Sequence, residues 1–468
     1  MSVSREEISS ERSCSRSRRT EEADAPLSIQ SVSPRIIPRP EHTISRRQIS
    51  AGALKVLYRL SHAGYTAYLV GGGVRDLLLG RAPKDFDVVT NARPREIRRL
   101  FRNSRIIGRR FRLVHVMFHD GIVEVATFRA SPEPPEAPDG WDDTGDEPEV
   151  VPAGFEEVGP GPTREEPVYG TPAEDAFRRD FTVNALFYNI KDFSIIDYVG
   201  GIEDLHSGIL RVIGDPLTRF SEDPVRMLRA LEYMVRLDFT LGPGIEEAIA
   251  ATRRDILTAA PARLAYELVE TLRSGVSAGI CEAWRRFGFL DLIFPEAAQA
   301  GDALGPLLGV IDRWSNQGRT VPSAVLLGVP FLPAYARILL QASSGHRKID
   351  NPKLLDAIAG LVDPSVLRLH ISHHDLFLIR QGLFTLSKLR KAPERARQVQ
   401  RLVRQDYFPV AWAFDCLSVE AGLLSPQPHA AWRLAIERFE KQGELDEKSP
   451  HRPAHRPSRR HPRRRRRA

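Results

Sequence analysis

Apolar residues recur at helical spacing across residues 46–64 (Ile49, Ala53, Val56, Leu57, Leu60), which predicts a helix there. "TAYLV" reads as a strand, "GVRDLLLG" as a short helix, "DFDVVT" as a strand and "ARPREIRRLFR" as a helix. "RLVHVMF" and "IVEVATFRA", joined by "HDG", predict a hairpin with Leu113 and Met117 in the core. The helical period returns in "EDAFRRDFTVNALFYN", and "SIIDYV" follows as a strand. From Asp215 onward only helical periods occur, broken by Gly and Pro, and no internal repeat is visible. Strands first and helices after predict an α+β fold, a small mixed-sheet head followed by an all-α neck and body. The expected boundaries are a disordered 1–45, a head over 46–204, a neck over 205–275, a body over 276–445 and a disordered tail over 446–468.

The chain has 468 residues, about three domains on length alone. Its net charge of +7 is unevenly spread. Residues 451–468 carry nine arginines and no acid, and without them the net charge is −2. Residues 131–170 carry twelve acids, one arginine and nine prolines, a net of −11; removing them as well leaves +9. A basic body with a basic tail points to a polyanionic partner, usually nucleic acid. The insert reads as a mobile acidic loop. Three distant cysteines (Cys14, Cys281, Cys416) argue against a disulfide scaffold or structural zinc and suit a reducing, cytoplasmic setting. The longest apolar run, Val321 to Ala336, contains three prolines, so no membrane span is expected.

The stretch "VGGGVRDLLLGRAPKDFDVVT" holds the densest chemistry. On a strand, Asp85 and Asp87 share a face. Two like charges there are costly unless a cation joins them. Mg²⁺, a hard ion that takes carboxylate, water and phosphate oxygens, suits the pair. A pair of metals held this way activates an attacking hydroxyl and stabilises leaving pyrophosphate. A glycine turn before a helix, Gly71 and Gly72, offers N–H groups to a phosphate, with Arg75 close by for the same phosphates.

"YLVGGGVRDLLLG…KDFDVVT", "EDAFRRDFTVNALFY", "IIDYVGGIEDL" and "EDPVRMLRA" together resemble the class II nucleotidyltransferases, the group of CCA-adding enzymes and bacterial poly(A) polymerases. The resemblance covers residues 46–275 well and the remainder loosely. "RIIGRRFRLVHVMF" resembles the segment that marks the poly(A) polymerases within the group; its plain reading is a basic sheet edge with Arg109, Arg110 and Arg112 exposed. The resemblance implies template-independent transfer of AMP from ATP to RNA 3′ ends with Mg²⁺, and a place in RNA processing. Protein partners are not legible. The alternatives are a CCA-adding enzyme of the same chemistry and a non-catalytic RNA-binding protein on the same scaffold.

The resemblance also assigns roles. Asp180 becomes the third acid and Arg179 a ligand of the triphosphate or ribose. The plain alternative for "RRD" is an ion pair such as Glu174 with Arg178. Glu124 competes with Asp180, since a glutamate alternating with Ile122 and Ala126 would point inward, a costly placement unless paired. In "SEDPVRMLRA", Ser221 is a candidate helix cap and Pro224 suits the first turn. By resemblance Asp223 and Arg226 bond the base edge and Arg229 the nucleotide, while capping and an ion pair explain the same letters without function. Where relatives often carry an arginine three residues after Arg229, this chain has Glu232. "HISHHDL" lacks the separated partners of a metal site. "SKLRKAPERARQVQRLVRQ" is either an RNA track or a solvated helix.

Overall fold

The computed structural model describes residues 32–108, 112–119, 121–130, 169–298, 301–344, 350–369 and 371–448. The bulk of the acidic insert, the Arg-rich tail, Arg109 and Arg110 lie outside them. The fold is a mixed-sheet head followed by helices, as the periodicity predicts. Backbone contacts divide it into two compact units. One is Met1–Arg178 with Ala185–Val199; the other is Arg179–Asn184 with Gly200–Ala468.

The first unit is built on eight strands: β1 (Arg35–Ile37), β2 (Ala67–Val70), β3 (Asp87–Thr90), β4 (Ser104–Ile107), β5 (Leu113–Phe118), β6 (Gly121–Thr127), β7 (Leu186–Asn189) and β8 (Ile195–Asp197). Their order is β1-β8-β7-β2-β3-β6-β5-β4, antiparallel throughout except for the β3–β6 pair. Four α-helices accompany them among the described residues: α1 (Ala51–His62), α2 (Gly72–Leu78), α3 (Pro94–Leu100) and α4 (Pro172–Phe177). Ser50 caps α1, its hydroxyl accepting the Ala53 N–H at 3.2 Å. All five apolar residues read from its period are buried.

Several expectations need correction. Order begins before Arg46, because Arg35–Ile37 completes the sheet edge against β8. The helix read through "EDAFRRDFTVNALFYN" is only α4; the chain then turns and becomes strand β7. The turn is local chemistry: Asp180 Oδ1 accepts the Phe181 N–H at 2.8 Å and the Asn184 side-chain amide at 3.2 Å, which offers the backbone an alternative to helix. The hairpin is where the sequence places it, but its faces are reversed. Val114, Val116, Val123 and Val125 are buried, whereas Met117 is 47% exposed and Ile122 and Glu124 face outward.

Among the described residues the second unit is almost wholly helical, with one two-stranded pair, β9 (Ile209–Leu210) and β10 (Thr240–Leu241). Its first helices are α5 (Gly201–Ser207), α6 (Pro216–Glu222), α7 (Val225–Leu237), α8 (Ile245–Thr252) and α9 (Pro261–Arg273). Ser221 does not cap α7. It sits in the last turn of α6 and donates to the Leu217 carbonyl, while Asp223, between the helices, accepts the Val225 N–H. Ser323–Gln341 is long and apolar enough to cross a membrane, but 72% of that window is buried inside the protein, and the segment breaks at Val329–Phe331.

Candidate active site

In the first unit, β2 ends at Val70, directly opposite Asp87 on β3. Gly71 turns the chain with φ 74° and ψ −142°, a conformation that glycine adopts without penalty. Its carbonyl accepts the Val74 and Arg75 N–H groups, starting α2. A Cβ on Gly73 would lie 3.2 Å from the Asp85 carbonyl oxygen, so glycine lets the start of α2 approach the aspartate segment closely. Gly71 to Gly73, Asp85 and Asp87 are therefore brought together, as the motif implies.

Both aspartates are exposed. Strand β3 starts at Asp87, so Asp85 precedes the strand instead of lying on it. Strand register places Asp87 opposite Glu124, Glu124 opposite His115, and His115 opposite Arg105. Residues paired across strands share a face. Asp87, Glu124, His115 and Arg105 thus form one row on the outer face of the sheet. His115 Nε2 lies 3.1 Å from Glu124 Oε1. Glu124 therefore belongs beside Asp87 for a reason opposite to the expected one: it points out to solvent, not into the core.

Arg75, expected near the phosphates, lies beside the turn and is buried. It is 1% exposed, lies against Gly72 and bonds Asp76 through Nε and Nη2 at 2.8 and 2.7 Å. In α4, Glu174 completes a capping box with Thr171, and Arg178 pairs with buried Asp175 instead of Glu174.

The second unit carries its own charged network. Arg229 on α7 donates Nε to Asp180 Oδ2 at 2.9 Å and Nη2 to the Tyr233 hydroxyl at 2.9 Å, and its Nη1 lies 3.5 Å from Glu267 Oε2 on α9. Burial pushes the Asp180 carboxyl up, but Arg229, Asn184 and the Phe181 N–H outweigh it and hold the group below the usual range. Burial likewise opposes the Arg229 charge, and Tyr233, Asp180 and Glu267 override it, leaving its pKa well above the ordinary value. Glu267 is pushed up by burial in spite of Arg229. Arg179 donates to the Asn184 carbonyl, and its own carbonyl accepts from Arg219.

Asp223 and Arg226 lie 3.9 Å apart, each more closely held by others. Arg263 on α9 grips Asp223 through two bonds, 3.2 and 2.7 Å, and Arg226 bonds Glu222 and the Arg219 carbonyl. Sequence reading misses Arg263, Tyr233 and Glu267. Glu232 is buried and pairs with Arg236 at 3.0 Å, so a cation stands one turn beyond the position where the resemblance would put an arginine.

Among the described residues no cluster of three His, Cys, Asp or Glu forms a ready metal cage. The all-oxygen donors Asp85 and Asp87, with Glu124 adjacent to Asp87, fit Mg²⁺, which is commonly held by one or two carboxylates with water and substrate oxygens. "HISHHDL" is explained without metal, since Ser372 caps the helix that follows and bonds Asp375.

Residues 67–211 match the family model of the poly A polymerase head domain. The chain is 46% identical to poly(A) polymerase I of Salmonella typhi over 275 residues, covering 59% of this chain and 56% of that protein. It is 33% identical to the CCA-adding enzyme of Lactobacillus gasseri over 240 residues, covering 51% and 54%. The chain spans about half the length of the curated relatives it matches. A solved structure titled as a tRNA-processing enzyme in an apo form shares the fold, with a TM-score of 0.51 at 22% identity over 87% of this chain and 97% of that one. Over residues 67–211, then, the chain is similar to the head domain of poly A polymerases.

Proposed function

We propose that this protein is a template-independent polynucleotide adenylyltransferase that adds AMP from ATP to RNA 3′ ends. The observation that carries the reading is the pair of exposed carboxylates, Asp85 and Asp87, set against the Gly71–Gly73 turn within a poly(A) polymerase-type head. The RNA 3′ oxygen forms a bond to the α-phosphorus, the α–β anhydride bond breaks and pyrophosphate leaves. Asp85 and Asp87 would hold Mg²⁺, which when bound supplies Lewis-acid polarisation of the phosphoryl oxygens. Glu124 adds negative charge beside Asp87, and His115 fixes the direction of that carboxylate. The side-chain-free turn at Gly71 and Gly72 lets a triphosphate approach the backbone.

In the second unit, Asp180 acts as the anchor of Arg229, whose guanidinium serves the nucleotide. Asp223 and Arg226, steadied by Arg263 and Glu222, read the base edge. Arg179 is assigned to the triphosphate or ribose. The cytoplasm and RNA processing are the setting this chemistry suits. The second reading, a CCA-adding enzyme, is favoured by the Lactobacillus gasseri relative, at lower identity than the poly(A) polymerase I relative.

The test is pyrophosphate release and RNA elongation with ATP and Mg²⁺, comparing the wild type with Asp87→Ala. Elongation should fall more than about 1000-fold in the variant with thermal stability unchanged, since the group removed is exposed and acts on charge developing in the reaction. Near-normal turnover by Asp87→Ala would sink the assignment.

A further inference from the structure

On the opposite face of the same sheet, α1 presents a second chemical surface. Strand alternation turns Val123 toward α1 and Glu124 away from it. A Cβ on Gly52 would come within 2.9 Å of the Phe118 ring and 3.3 Å of Val123, which shows how closely helix and sheet pack. With Ala53, Val56, Leu57 and Leu60 facing inward, Lys55, Tyr58, Arg59 and His62 fall at i, i+3, i+4 and i+7 on the outer side. They border an open groove of about 480 Å³ whose far wall includes Phe118 and Asn103.

Cations and π-systems make up most of the groove's lining, and among the described residues no carboxylate lines it. Lys55 Nζ lies 5.8 Å from the centre of the Phe118 ring. Tyr58 and His62 stack at 6.2 Å with 22° between planes, and Arg46 bonds the Tyr58 hydroxyl at 3.0 Å. The sequence extends the charge: residues 42–75 contain no acid, and Arg98, Arg99 and Arg102 directly precede Asn103. Glu96, the one acid of α3, is occupied at that helix's start, accepting the Arg93 N–H at 2.7 Å. Phosphodiester groups take the cations and bases take the aromatic faces, which is how single strands are held without sequence preference.

We propose that this groove binds single-stranded RNA, at a track separate from the carboxylate face. The proposal rests on the reading of the protein as an enzyme of RNA 3′ ends. It deepens that reading by giving the substrate a hold that performs no chemistry. Cations and rings together favour RNA over an acidic protein segment, for which the rings would have no specific use.

The test uses the full chain, a labelled 15-nucleotide RNA without secondary structure, and the variant Lys55→Gln/Arg59→Gln. Both side chains are exposed, so the fold should persist, and Lys55→Arg/Arg59→Lys serves as the charge-conserving control. RNA affinity should fall at least about fivefold at low salt, and the slope of log affinity against log salt should shrink by roughly 1.4, the value for two lost phosphate contacts on a single strand. KM for RNA should rise while kcat at saturating RNA and KM for ATP stay unchanged, and the control should behave as wild type. Unchanged affinity and slope would overturn the proposal. So would a poly-glutamate peptide of matched charge competing as well as RNA, which would make the groove a general anion surface. If wild type binds RNA through this groove but never transfers AMP, the enzymatic reading fails and the groove stands. If AMP transfer is robust and the variant binds normally, the groove fails alone.

Discussion

The acids of the two units live under opposite conditions. Asp85, Asp87 and Glu124 are exposed, whereas Asp180 and Glu267 are largely buried and held to Arg229. Exposed like charges are well solvated, so the first group costs little. Enclosed acids must be matched by fixed cations, because an unpartnered charge in low dielectric is expensive. The first arrangement suits groups that change partners during a reaction. The second suits wiring that holds one side chain in one place.

The sharpest way to break this contrast is to remove the shared cation of the enclosed network. Arg229→Ala leaves Asp180 and Glu267 without it, and should destabilise the protein by about 3–5 kcal/mol, read by urea unfolding. Elongation activity should fall roughly 100-fold with it. A variant that remains fully stable would show the network to be ornamental.

Acid titration sharpens the same point. The Asp180 carboxyl is held below its ordinary value of 3.8, so its contribution to stability is present above that pH and lost as pH falls through the folded-state value. Glu267 is shifted upward from 4.5, so its protonation on acidification relieves a burial cost and works in the other direction. Wild type should therefore lose more stability below pH 3.8 than Asp180→Asn does, measured by unfolding at a series of pH values. Equal losses would contradict the Asp180 assignment.

On the exposed side, Glu124→Gln should split the two properties. Removing one of two like charges paired across strands should raise stability by about 0.2–1 kcal/mol while lowering elongation about tenfold. A drop in both would make Glu124 structural. The smallest effect is expected at Glu232. With Arg236 already beside it at 3.0 Å, Glu232→Arg should change KM for ATP less than about threefold. A large gain in ATP affinity would show that the missing arginine costs a contact.

Much of this was legible in the sequence because it is local. The glycine turn, the two aspartates and the α1 stripe are set by neighbours within a few residues. The hairpin was legible too, but not its orientation. Leu113, Met117 and Ile122 on one side and valines on the other give both faces apolar letters, so a period of two does not tell which is covered. The helical reading of residues 174–189 failed because Leu186, Phe187 and Tyr188 are all buried, and a strand covered on both faces has no alternation to show. Arg263 on Asp223 and Arg229 on Asp180 are separated by 40 and 49 residues, beyond any spacing rule.

The central claim, AMP transfer to RNA ends at large, is tested most directly by offering each nucleoside triphosphate singly to two RNAs. One is a generic single-stranded RNA and the other a tRNA lacking its 3′ end, both labelled at the 5′ end and resolved by length. The account predicts that ATP alone extends both RNAs by many residues and that CTP is not required. Extension of the tRNA only, with CTP needed before ATP and growth stopping after three residues, would contradict it.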